Sequence, residues 1–214
     1  MRSRFDEQLA LLKKELIEMG ALCEEVIALA AKSLTEGDSR LASRVAPIDA
    51  EIDQKERGIE SMCLKLLLQQ QPVAKDLRQI SAALKMITDM ERIGDQAEDI
   101  SEIIDFLGNR RSDDTLLLGE MAESAVKMVT ESVDAFVKSD LELAKKVVAD
   151  DDIVDDYFVK VKRQLIKRIT DAPSDGEYAL DLLMIAKYFE RIADHAVNIA
   201  EWVIFSVTGV HKEG

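Results

Sequence analysis

The feature that most constrains this chain is that its second half repeats its first. Asp38-Ser-Arg-Leu41-Ala-Ser-Arg-Val45 returns as Asp140-Leu-Glu-Leu143-Ala-Lys-Lys-Val147, and Asp49-Ala-Glu-Ile-Asp53 returns as Asp151-Asp-Ile-Val-Asp155. Farther on, Glu91-Arg-Ile-Gly-Asp95-Gln-Ala-Glu-Asp99-Ile-Ser-Glu102 is echoed by Glu190-Arg-Ile-Ala-Asp194-His-Ala-Val-Asn198-Ile-Ala-Glu201. The echo keeps its order. Its period of about a hundred residues is too long for a solenoid unit of roughly 20–50 residues. Each copy is instead long enough to form a three-helix bundle of its own. The division this suggests is 1–110 and 111–214.

The text within each copy is helical. Only 9 Gly and 3 Pro occur in 214 residues, and aromatic residues make up 5%, which is poor material for tight hairpins and good material for long helices. Between these few breakers the apolar residues keep a helical period. The spacing predicts helices over about 4–36, 38–70, 73–107, 115–138, 140–170 and 176–207, with no strand. Pro47 falls in the first turns of the second helix and is expected to bend it or reset its start. Gln71-Pro72 turns the chain, Asp171–Asp175 separates the last two helices, and the polar stretch Gly108–Asp114 is the expected linker between the copies. The fold class is all-α, two tandem three-helix bundles related by internal duplication.

Charge narrows the function. Acidic residues number 42 against 28 basic ones, a formal net charge of −14. Such a balance repels phosphate backbones, so nucleic acid is excluded as the main partner, whereas metal cations or basic protein surfaces suit it. The two cysteines, Cys23 and Cys63, form no C-x-x-C pair and read as buried thiols in a reducing cytosol. The N-terminus lacks the apolar core of a signal peptide, and no run approaches the roughly 18 apolar residues that span a bilayer. A cytoplasmic protein is expected. No phosphate-binding loop, dinucleotide fingerprint or nucleophile elbow occurs, and no Glu-x-x-His pair of the ferritin type surrounds His195 or His211. His195 reads as a polar helix residue, Trp202 as an anchor of the last helix, and the methionines as core fillers. No enzyme is indicated.

The carboxylates are less ordinary. At about 100° per residue, Glu91, Asp95 and Asp99 form a stripe that drifts only about 40° per step. The stripe flanks an apolar face of Met86, Met90, Ile93, Gly94, Ala97 and Ile104. Glu190, Asp194 and Asn198 likewise flank Ile185, Phe189, Ile192, Ala193, Ala196 and Val203. Asp49 and Asp53 edge Val45, Ile48, Ile52 and Ile59; Asp151 and Asp155 edge Val147, Val154 and Val161. Each copy therefore offers an acidic edge on two helices. If the edges face one another, four or five oxygen donors converge, and hard cations such as Mg²⁺, Mn²⁺ or iron relieve their repulsion. The plain alternative is a solvated helix edge in an acidic protein.

These motifs, on a duplicated six-helix chain of this length, resemble those of the PhoU family of phosphate-uptake regulators. The opening Arg4-Phe5-Asp6 and the Asp49-x-x-Ile-Asp53 element belong to the resemblance, which covers nearly the whole chain. It implies tandem three-helix bundles whose E/D-x-x-x-D motifs bind metal clusters. It also implies a cytoplasmic, non-enzymatic negative regulator of phosphate uptake and of the phosphate-starvation response. The implied partners are the ATPase of the phosphate ABC transporter and the phosphate sensor histidine kinase, with the membrane reached only through them, and the implied state is a homodimer. Carried over, the motif gives a first metal site of Asp49, Asp53, Glu91, Asp95 and Asp99. The second comprises Asp151, Asp155, Glu190, Asp194 and Asn198, and Glu102 and Glu201 continue the stripes. The second site carries less charge, because Asn198 replaces Asp99 and Val197 replaces Glu98. A metal-independent docking protein and a carboxylate-metal hydrolase are the competing classes.

Overall fold

Helix ends in this chain fall where the backbone must turn left-handed or where an aspartate can cap. The computed structural model describes residues 2–70, 73–107 and 116–210. The first helix, α1 (Arg2–Glu36), stops at Gly37, whose φ of 65° suits a residue without a Cβ. The Asp38 N–H then returns to the Ser33 carbonyl at 3.1 Å, closing the helix end. The Asp38 carboxylate accepts the Arg40 N–H at 3.0 Å and so caps α2, a single turn over Ser39–Ala42. The long helices α3 (Val45–Gln70) and α4 (Ala74–Leu107) complete the first copy. The second copy consists of α5 (Leu118–Lys138), α6 (Leu141–Asp171), a 3₁₀ turn over Pro173–Asp175, and α7 (Gly176–Thr208). No strand occurs among the described residues.

One expected helix is two. The period predicts a continuous helix from Asp38, but the chain breaks at Ser43 and Arg44 before α3 begins. Pro47 explains the break: it has no N–H for the Ser43 carbonyl, and its ring crowds that carbonyl. As the third residue of α3 it sits where a helix leaves its N–H groups unbonded. The matching residue of the second copy is Ala149, and α6 runs through it unbroken. There Asp140 takes the capping role, accepting the N–H groups of Glu142 and Leu143 at 3.1 and 3.0 Å. The expected turn at Gln71-Pro72, the linker Gly108–Asp114 with the 110/111 boundary, and His211 lie outside the described residues.

The six long helices share one core. Helices α1, α3 and α4 pack together, as do α5, α6 and α7, and the copies meet along α1–α5 and, most broadly, α4–α7. Small residues let the central helices approach closely: Ala82, Ala83 and Ala97 on α4, and Ala186, Ala193, Ala196 and Ala200 on α7, are all fully buried. At the α1–α5 crossing a Cβ on Gly20 would come within 3.2 Å of a Val133 methyl. The apolar faces read from the period are buried as expected, except that Ile48 is half-exposed. Cys23 and Cys63 are buried free thiols. Trp202 is half-buried and meets Phe205 edge to face, with ring centroids 5.8 Å apart. With α4 and α7 central, the edges they carry lie against α3 and α6.

Candidate functional site

Asp49 is the pivot of the first edge. It lies one turn into α3 and is only 9% exposed, and its Oδ1 has no hydrogen-bond partner. Gly94 makes room for it. A Cβ at position 94 would overlap Asp49 Oδ1 and stand 3.2 Å from the Ile52 Cδ1 atom. Burial raises the Asp49 carboxyl to about 7, and the neighbouring charges of Glu98, Asp95, Asp53 and Glu91 push the same way. Glu91, Glu98 and Glu56 are also raised, each mainly by burial and then by like charges. Two arginines offset part of this field. Arg57 donates to Asp53 at 3.1 Å, and Arg92 donates to Asp95 at 2.9 Å with its Nε 3.5 Å from Glu91.

The second edge repeats the plan at lower density. Asp151 again has an unpartnered buried Oδ1. Its carboxyl is raised to about 6, first by burial, then by Asp155, Asp194 and Asp152. Asp194 is raised by burial, against the pull of Lys187. Ala193 stands where the first copy has Gly94, and Asp151 is half-buried where Asp49 is buried. Glu190 pairs with Lys187, which also lies 5.6 Å from the centre of the Phe158 ring.

The third position of each stripe also faces the other copy. Asp99 is raised first by burial and then by Glu102 and Asp95, while Arg191 and Tyr188, both on α7, pull it down. Asn198 donates to Asp89 of α4 at 3.0 Å, and His195 Nδ1 meets the same Asp89 oxygen at 2.9 Å. In the duplicated register Asp89 corresponds to Tyr188 and Asp99 to Asn198. Matched positions of the two copies therefore face each other where α4 and α7 meet across the seam. A drift of about 40° per turn accounts for it: two turns on, the stripe has rotated off the edge and onto the neighbouring helix.

The structure thus gathers Asp49, Asp53, Glu91 and Asp95 in one field, and Asp151, Asp155 and Asp194 in another. It adds Glu98, whose charge acts on Asp49 more strongly than any other, and which the ligand set read from the motif omits. The signal was present, since Glu98 lies seven residues after Glu91 and hence on the same face. Among the described residues no three His, Cys, Asp or Glu groups stand together as a ready cage for one ion. The donor chemistry nonetheless suits a hard cation, because Asp49 and Asp151 each present a desolvated oxygen with nothing bound to it.

Comparison with known proteins decides the lineage. The PhoU domain model matches residues 16–104 and again 118–203. The chain belongs to the PhoU family. It is 33% identical to the phosphate-specific transport system accessory protein PhoU homolog of Clostridium acetobutylicum, over 97% of this chain and 96% of that one. The homolog from Pseudomonas aeruginosa is 35% identical, over 96% of this chain and 86% of its own length. Among solved structures, PhoU from Pseudomonas aeruginosa superposes with a TM-score of 0.90 at 34% identity, covering 96% of this chain and all of that one. The phosphate transport system regulatory protein PhoU from Streptococcus pneumoniae gives 0.88 at 25% identity, covering 98% and 100%. A family of accessory proteins to phosphate transport is the setting in which the two edges are to be understood. No described helix is long and apolar enough to cross a membrane.

Proposed function

We propose that this protein is a non-catalytic, cytoplasmic negative regulator of phosphate uptake and of the phosphate-starvation response. It acts by contact with the ATPase of the phosphate ABC transporter and with the phosphate sensor histidine kinase. The observation that carries the reading is the pair of matched acidic edges, each built round a buried carboxylate oxygen with no partner, on a chain similar along its length to phosphate-transport accessory proteins. Asp49, Asp53, Glu91, Asp95 and Glu98 would hold cations at the first edge, and Asp151, Asp155, Glu190 and Asp194 at the second. Bound magnesium, manganese or iron supplies positive charge at a surface that is otherwise strongly negative. The chain's own groups do the rest: Gly94 seats Asp49, Arg57 and Arg92 hold neighbouring carboxylates in place, and the α4–α7 contacts keep the two edges in fixed relation. Regulation is then a change of affinity between proteins, because a neutralised edge can approach an anionic partner or membrane-proximal surface that the bare edge repels.

Two experiments test this. Deletion of the gene should release the phosphate regulon in phosphate-rich medium; an unchanged response refutes the regulatory role. Pull-down of the transporter ATPase with and without chelator tests the part played by cations. The second reading is a metal-independent adaptor using the same helices; among the described residues no three carboxylates stand together as a ready cage. Undiminished binding in chelator by a folded Asp49→Asn/Asp95→Asn variant would establish that second reading.

A further inference from the structure

Two positions beside the acidic edges change together between the copies. In the duplicated register Glu56 of α3 corresponds to Phe158 of α6, and Thr88 of α4 to Lys187 of α7. In the first copy both residues suit an acidic edge. Glu56 adds its charge to the field on Glu91, and Thr88 draws the Glu56 carboxyl down. In the second copy the carboxylate has become a ring and the hydroxyl an ammonium. Lys187 Nζ donates to Glu190 and stands 5.6 Å from the centre of the Phe158 ring, so it reaches from α7 onto α6. Of the charges acting on Asp194, that of Lys187 is the strongest.

Helix geometry alone does not favour the amine there. A lysine gains most when its acid lies one turn before it, and Glu190 lies after. The ring supplies the difference, because its face attracts an ammonium, the more so where water is partly excluded. The Glu190 side chain is only 15% exposed. The first copy holds its cations differently. Arg57 stays on its own helix against Asp53 and is 75% exposed, where water screens it. Arg92 has an arginine, Arg191, in the matching place of the second copy, so it does not set the two edges apart. We infer that Lys187 is a tethered counter-ion of the second edge, its ammonium seated by Phe158 in the place beside Glu190 and Asp194 that a metal cation would have to enter. The second edge is then partly neutralised at all times, and the first only when a cation arrives. A cation at the second edge must displace the amine or bear its repulsion, so the first edge responds at lower cation concentration. Lys187 has this role only if the edges take up cations, the reading proposed above.

Calorimetric titration of Mn²⁺ into the chelator-stripped full chain tests it. Lys187→Thr, which copies the first edge, removes a positive charge close to the dication and should tighten binding at the second edge about tenfold, leaving the first unchanged. Lys187→Arg keeps the charge and should bind as the wild type does. Thr88→Lys makes the reciprocal change and should weaken binding at the first edge about tenfold. In EDTA, Lys187→Thr should unfold at a lower urea concentration than the wild type, because Glu190 and Asp194 lose their counter-ion, and saturating Mn²⁺ should close the gap. If Lys187→Thr does not fold without metal, Lys187→Met, which keeps an unbranched chain against Phe158, carries the titration. Second-edge binding untouched by the loss of the charge, or tightened as much by Lys187→Arg, overturns the inference and leaves cation uptake standing. No saturable uptake by the wild type or by either uncharged variant ends the cation reading itself, and the role of Lys187 with it.

Discussion

Replacing Asp49 by Asn should make the protein more stable at neutral and alkaline pH when metal is chelated. The native Asp49 carboxyl is raised from 3.8 to about 7 by burial and by its acidic neighbours. In the unfolded chain the group ionises at its ordinary value. Below that value both states hold the proton and the carboxyl fits its pocket without penalty. As pH rises from about 4 to 7 the unfolded state gives up its proton first, so native stability is lost over that window. A shift of about three units, at 1.36 kcal/mol each, sets a ceiling of about 4 kcal/mol above pH 7. Asparagine keeps the shape, carries no charge, and offers an N–H group to the surrounding carboxylates. In EDTA at pH 8, urea denaturation should show Asp49→Asn more stable than the wild type by about 2–4 kcal/mol, falling below about 1 kcal/mol at pH 4. Manganese should then stabilise the wild type and do less for the variant. A variant no more stable at pH 8, or a difference that does not shrink as pH falls, refutes the assignment of Asp49 as the strained group of the first edge.

Other perturbations separate the parts of the structure. Gly94→Ala should cost about 1–3 kcal/mol in thermal or urea unfolding, and less in an Asp49→Ala background, because the new methyl collides with the Asp49 carboxylate. Phe189→Ala should cost about 3–5 kcal/mol, since that ring is fully buried, and far- and near-ultraviolet dichroism should still report one coincident transition because the copies share a core. Asn198→Ala should cost about 0.5–1.5 kcal/mol of stability by removing a donor from Asp89, yet leave manganese uptake unchanged. Asp99→Asn should likewise spare uptake where Asp95→Asn lowers it, measured by metal analysis after dialysis.

Much of this architecture is legible in the residues themselves. The duplication, the helix spans and the buried faces follow from period and from sparse Gly and Pro, because amphipathic helices leave few alternatives. Asp38 and Asp140 announce their capping roles by standing before matched helical text. Pro47 was seen as a disturbance, but whether it bends or restarts a helix depends on the neighbouring turn, which a period does not contain. The acidic edges were legible as far as one turn carries. Asp49, Asp53, Glu91 and Asp95 share a field, whereas Asp99 feels both that field and the groups of α7, and Asn198 bonds to Asp89 across the seam. That outcome depends on which helix lies alongside, a tertiary fact. Glu98 was legible as extra charge on the first copy, through Val197 in its place on the second, but its spacing of seven falls outside a motif whose spacing is four. The depth of Asp49 was not readable at all, since it rests on a glycine forty-five residues away.

Uptake of hard cations by the two edges, tighter at the first than at the second, is what the proposed regulation requires. Calorimetric titration of Mn²⁺ into chelator-stripped protein tests it directly, with the Asp49→Asn/Glu91→Gln/Asp95→Asn and Asp151→Asn/Glu190→Gln/Asp194→Asn variants alongside. Two classes of saturable binding are expected in the wild type, the tighter removed by the first set of substitutions and the weaker by the second. No saturable binding up to millimolar Mn²⁺, or binding that survives in folded protein carrying both sets, would contradict it.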